Sequence, residues 1–184
     1  ATKVSVSTAS FSPSSYVVDP AVNTDFLKHI RLTKNENVFS MAKGKGITVA
    51  VVDTGVTPVP DMGTIVSPVD LVGTGVDANG VPNGTSNTYD TAGAITGPGK
   101  YSGHGTQVAG LIGALYGNGI AGFGGAPEAN IMPVKVFGIH EGTTTDAYIA
   151  QGIYYAVDHG ANMINISIDL LGKRYDATLL FLSH

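Results

Sequence analysis

The chain has no cysteine and no tryptophan in 184 residues, and only 13% of its residues are charged. Without cysteine there are no disulfide staples and no thiolate metal centres, so an apolar core must hold the fold. Ten Lys and Arg against 14 Asp and Glu leave a formal charge of −4, with no basic surplus to mark a nucleic-acid surface. No run approaches the roughly 20 apolar residues that span a bilayer as a helix, so no membrane partner is expected. The opening Ala1-Thr-Lys-Val-Ser-Val has neither an initiator Met nor a charged-then-apolar leader. It reads as a processed terminus and points to a secreted or extracytoplasmic protein.

What is present is a 43% apolar chain with 25 glycines. That suits one domain over 1–184 with tight corners between strands and helices. Residues 1–22, rich in Ser, Thr and Val with Pro13 and Pro20, read as an extended arm on the surface, and 23–41 carry weak helical signals. Residues 46–52 (Gly-Ile-Thr-Val-Ala-Val-Val) are apolar on both faces, as in a central parallel strand. Residues 73–101 form a polar tract longer than the roughly 12–15 residues of an ordinary structureless loop, so it is a functional loop or conceals a hairpin.

A helix is expected from Ser102, with Val108, Leu111, Ile112 and Leu115 as its buried stripe. Residues 130–137 read as a second core strand. Thr145 or Asp146 can cap a helix striped by Ile149, Ile153, Ala156 and Val157, with Gly160 at its stop. Residues 161–168 read as a third strand, and 175–182 as the start of another helix. Alternating strands and helices imply a three-layer α/β fold, a mostly parallel sheet with helices on both faces.

In such sheets functional groups gather at the carboxyl ends of strands. Asp53 stands there, directly after Val51-Val52, where the bland alternative is a turn or capping carboxylate. His104 lies between Gly103 and Gly105 at a helix start, and the missing side chains let another group approach its imidazole closely. The stretch 117–122 fits G-x-G-x-x-G, but it follows a helix rather than a strand, which excludes a dinucleotide fingerprint. Asn83-Gly-Thr85 and Asn165-Ile-Ser167 are glycosylation acceptors in pattern only.

Four segments, Val49-Ala-Val-Val-Asp-Thr-Gly55, His104-Gly-Thr-Gln-Val-Ala-Gly110, Gly125-Ala-Pro127 with Val134-Lys-Val136, and Gly152-Ile153 through Asn162-Met-Ile-Asn-Ile-Ser167, together resemble the subtilisin-like serine proteases in order and spacing. The resemblance covers about residues 40–168. It implies that Asp53 orients His104 as general base toward a serine hydroxyl and general acid toward the leaving amine. It also implies that Gly142, Thr143 and Thr144, with Ser167, Ile168 and Asp169, line an extended polypeptide substrate. A structural calcium ion is implied at Asp61 and Asn118 with the carbonyls of Tyr116, Ile120 and Gly122.

The sequence departs from the family at three points. Neither the nucleophile segment nor the oxyanion-hole Asn precedes His184, so both are expected from a downstream segment or a second polypeptide, and this chain alone should be inactive. Gly84-Thr-Ser86 copies three letters of the nucleophile motif in the wrong place, without the helix that should follow. Gln107 stands where many relatives carry a second His, and Asp169 where the family usually has Gly. An inactive peptide- or partner-binding module is the alternative. Reading Asp53-Thr-Gly55 as an aspartic-protease loop is opposed by the helical stripes.

Overall fold

The computed structural model describes residues 42–75, 84–90, 103–119, 123–138 and 144–168, and the backbone of 180–181. The arm 1–22 and the helical signals of 23–41 lie outside them. Strands β1 (Thr48–Asp53), β2 (Val69–Asp70), β3 (Asn130–Lys135), β4 (Met163–Ile166) and β5 (Leu180–Phe181) alternate with helices α1 (His104–Gly113) and α2 (Asp146–Asp158). They form one sheet of order β2-β3-β1-β4-β5. β1 pairs in parallel with both β3 and β4, and β2 in parallel with β3. The expected three-layer architecture is present.

The continuous apolar run of β1 has its reason in this topology. Ala50 and Val52 face α2 in a cluster with Met132, Val134, Ala156 and Ile164, while Val51 faces the opposite layer with Ala109 and Ile131. Both faces are covered, so no polar alternation is tolerated. Each buried Val, Ile or Met contributes roughly 1.5–3 kcal/mol by leaving water.

Pro133 sits inside β3, a strand with neighbours on both sides, where a missing N–H ordinarily breaks the ladder. The even-numbered residues of β3 aim their N–H at the β1 side, as Asn130 to Ile47 and Val136 to Asp53 show; Ile131, odd-numbered, bonds Thr64 on the other side. The missing donor of Pro133 therefore faces the β2 side, at the break between Val66, which bonds Ile131, and the start of β2 at Val69.

Thr145 caps α2, its side chain accepting from Tyr148 N, and Gly160 adopts the left-handed φ of +79° that ends it, as expected. Two expectations need correction. α1 begins at His104 and ends at Gly113, so Leu115 lies beyond it, and Leu111 is 62% exposed. The face that α1 buries is Gly105, Ala109 and Gly113; glycine and alanine let the helix approach the sheet closely, which a count of large apolar residues does not register. Next, Leu180–Phe181, expected to be helical, pair antiparallel with Met163 and Ile164. A short apolar run has no period of its own, and the open edge of β4 supplies the pairing. The two-residue β2, too short to leave any pattern in the sequence, is a strand that the sequence analysis did not anticipate.

Candidate active site

Parallel pairing places the carboxyl ends of β1, β3 and β4 along one rim, with Asp53 level with Lys135 and Val52 level with Ile166. Asp53, last residue of β1, is fully buried, and its Oδ1 accepts from Thr54 N at 2.7 Å. His104, first residue of α1, reaches it across 51 positions of chain: Nδ1 lies 2.8 Å from Oδ1 and 3.0 Å from Oδ2. A carboxylate can only accept, so Nδ1 carries the hydrogen and Nε2 is left as the basic nitrogen of the neutral ring. The His104 side chain is 40% exposed beside a carboxylate that is 0% exposed.

Local backbone chemistry holds the two together. Gly103 takes a left-handed φ of 82° before the helix and offers no side-chain cap. Gly105 N donates to Thr54 Oγ1 at 2.9 Å, tying the first turn of α1 to the corner after β1. A side chain at Gly105 would collide with Gly55 O, its Cβ only 2.2 Å away, so the glycine on the far side of His104 is a packing requirement.

The hydrogen bond to Asp53 raises the pKa of His104 above its ordinary value; burial opposes this, and the charges of Asp53 and Asp90 reinforce it. A raised imidazole pKa means that a base at this position becomes neutral, and competent, only above the pH at which a free imidazole would.

Several groups here were missed in the sequence. Asp70 accepts from the N–H groups of Val72, Gly73, Thr74 and Asn87 and from Thr74 Oγ1. Burial pushes its carboxyl up, but these bonds outweigh that and hold it below the ordinary value. Lys135 is fully buried, and its Nζ donates to the carbonyls of Tyr89 at 2.7 Å and Asn87 at 3.2 Å. Desolvation lowers its pKa, against the pull of Asp70 and Asp90. Together these groups strap residues 87–90 of the polar tract over the corner after β1, where Val56 N donates to Thr88 O. The only sequence signal was a polar tract too long to be structureless.

The remaining expected residues fare unevenly. Thr144 follows β3, its Oγ1 donating to Val136 O at 2.6 Å; Ser167 and buried Ile168 follow β4 at the same rim, Ser167 Oγ accepting from Asn165 Nδ2. Gly142, Thr143 and Asp169 lie outside the described residues, as do Ile120 and Gly122. Asp61 and Asn118 do meet: Asn118 Nδ2 donates to Asp61 Oδ1, and Leu115 N donates to Asp61 O. Among the described residues no three His, Asp or Glu side chains converge as a metal cluster. Gly84, Thr85 and Ser86 are exposed, the Thr85 carbonyl accepting from Gly75 N.

The sequence profile of the subtilase family matches residues 44–177. The major intracellular serine protease of Bacillus subtilis is 39% identical over 128 residues, covering 68% of this chain and 35% of that protein. Thermitase of Thermoactinomyces vulgaris is 35% identical over 133 residues, covering 71% of this chain and 40% of its own length. Among solved structures, a protease from Pseudoalteromonas arctica superposes with a TM-score of 0.58 at 29% identity, covering 72% of this chain and 44% of that one. The chain thus spans roughly a third to two fifths of the curated relatives it matches. One of these carries "intracellular" in its name, so kinship does not decide the compartment. None of the described helices is long and apolar enough to cross a membrane.

Proposed function

The chain belongs to the subtilase family, and on that premise we propose that Asp53 and His104 are two members of an Asp/His/Ser triad in a serine endopeptidase. The observation that carries the reading is the Asp53–His104 contact at the carboxyl rim of the sheet, 2.8 Å long between residues 51 apart. Nε2 of His104 takes the serine proton as the serine oxygen attacks the scissile carbonyl carbon, then returns that proton to the leaving amine as the peptide C–N bond breaks. Water repeats the sequence on the acyl-enzyme. Buried Asp53 keeps the ring in the Nδ1–H form and stabilises the imidazolium that forms each time.

The serine and the oxyanion donor come from a segment beyond residue 184 or from a second polypeptide. In keeping with this, the curated relatives are more than twice as long as the stretch they share with this chain. The chain alone is then inactive, because in a subtilisin the loss of the serine costs roughly 10⁶-fold in turnover. The substrate is a polypeptide lying along the segments after β3 and β4, with Gly142, Thr143, Thr144, Ser167, Ile168 and Asp169 as its backbone partners. A calcium ion, held by Asp61, Asn118 and neighbouring carbonyls, would stitch the loop after α1 to the corner after β1. What supports this is that Asp61 and Asn118 lie side by side and that carboxylate, amide and carbonyl oxygens are the ligands such an ion takes.

Replacing His104 with Ala in the assembled protease tests the central claim. Peptide cleavage and fluorophosphonate labelling should be lost while the thermal transition is kept, and undiminished cleavage would refute the assignment.

A further inference from the structure

We propose that Asp90 is a positioning residue for His104, capping α1 from outside the helix and fixing the imidazole against Asp53. The proposal rests on the reading of His104 as general base.

A helix start leaves its first N–H groups without intrahelical acceptors, and a side-chain oxygen at the cap position usually supplies one. In α1 that position is Gly103, which has no side chain to offer. Asp90, outside the helix, does the work: its Oδ2 accepts from Thr106 N and from Thr106 Oγ1, both at 3.0 Å.

Two further bonds close a ring through the corner after β1. Thr57 N donates to Thr106 Oγ1 at 3.0 Å, and Asp90 N donates to Thr57 Oγ1 at 3.2 Å. The corner that follows Asp53 and the helix turn that begins with His104 are therefore joined twice, by Gly105 N to Thr54 on one side and by the Asp90 ring on the other. Asp90 itself is immobilised by the strap, through the bonds of Val56 to Thr88 and of Lys135 to Tyr89 and Asn87.

A second observation concerns charge. Asp90 Oδ1 is buried and has no hydrogen-bond partner among the described residues, an arrangement that costs free energy. Hydrogen bonding alone would not favour it, yet a negative charge there serves the helix start, whose dipole amounts to about half a positive charge and opposes an imidazolium at His104. Among the described residues, the charged groups around the ring are Asp53 from β1 and Asp90 from the strap, with Lys135 of β3 and Asp70 of β2 behind the strap. Asp90 thus offsets the helix field at the moment His104 accepts a proton.

The test uses the assembled protease and two variants. Asp90→Asn keeps the shape and an acceptor for Thr106 but removes the charge; Asp90→Ala removes both. Asp90→Asn should keep the wild-type thermal midpoint and KM while kcat falls, and the acid limb of kcat/KM should shift to lower pH together with the titration of the His104 ring resonance. Asp90→Ala should lose up to about 10²-fold in kcat as the ring loses its placement, and the downfield Nδ1 proton of His104 should disappear. Wild-type pH profiles and an intact downfield proton in both variants, or a loss of stability alone, would overturn the proposal. His104→Ala separates the two claims. If it is dead while both Asp90 variants behave as wild type, only the Asp90 proposal falls; if it still cleaves peptide, the general-base reading falls and takes the proposal with it.

Discussion

Gly105→Ala sets two effects of opposite sign against each other at the start of α1. By helix propensity alone, alanine should stabilise this position by about 0.8–1 kcal/mol. Sterically it cannot fit, because its Cβ would stand 2.2 Å from Gly55 O and 3.2 Å from both Cβ and Oδ1 of Asp53. A carbon ordinarily stays about 3.3 Å or more from a carbonyl oxygen, so roughly 1 Å of movement is required. Gly55 cannot supply it: its own φ is +103°, and the carbonyls of Tyr89 and Thr88 lie 2.7 and 2.8 Å from where its Cβ would be. The helix must therefore move off β1, and the Asp53–His104 bond lengthens with it. Overpacking of this kind costs about 1–3 kcal/mol, against which propensity returns about 0.8–1 kcal/mol, so the variant should be destabilised by up to about 2 kcal/mol. A 1 Å displacement of the base should cost on the order of 10²-fold in kcat. Gly110→Ala is the control: it lies in the same helix, no atom of the described residues outside that helix turn comes within 4 Å of its added Cβ, and it should gain about 0.5–1 kcal/mol. Denaturant titration gives the stabilities, the downfield Nδ1 proton reports the dyad, and kcat of the assembled protease reports the chemistry. A Gly105→Ala variant as stable as the parent, with that proton intact, would refute the packing argument. So would a Gly110→Ala variant that loses as much.

Lys135→Met should cost about 2–4 kcal/mol, because it takes the ammonium donor from the Tyr89 carbonyl, leaves Thr74 Oγ1 as the remaining donor to the Asn87 carbonyl, and removes the buried cation that Asp70 and Asp90 face. Hydrogen exchange should show the strap opening in that variant, and exchange at the parent's rate would contradict its anchoring role. Calcium added at about 100 times its dissociation constant should stabilise the protein by about 2.7 kcal/mol, and chelation should reverse this. Asp61→Ala should abolish the response, and a thermal midpoint indifferent to calcium and chelator in the parent would remove the ion from the account.

How much of this was legible beforehand depended on the range of the interaction. The strands at Thr48–Asp53, Asn130–Lys135 and Met163–Ile166 and the helix Asp146–Asp158 announced themselves, because apolar runs, a 3.6-residue stripe and a terminal glycine are local signals. Asp53 and His104 were legible as candidates for a related reason: a carboxylate at a strand end and a histidine between glycines are local arrangements, and their order along the chain resembles that of one family. The glycine face of α1 misled, since periodicity counts large side chains and cannot see a helix that packs closely by lacking them. β5 was missed because Leu-Phe is equally apolar in a helix or a strand, and only the edge of β4 decides between them.

Sequence alone therefore determined the layered α/β architecture, which follows from residue type and short-range period, and singled out Asp53 and His104 as candidates, through their local settings and the resemblance to one family. Tertiary structure alone decided which groups they meet. A hydrogen-bond acceptor is chosen by distance in space, and neither composition nor period shows that Asp90 caps a helix beginning at His104. Nor do they show that Lys135, read as part of a core strand, turns its ammonium onto the carbonyls of a loop 46 and 48 positions earlier in the chain.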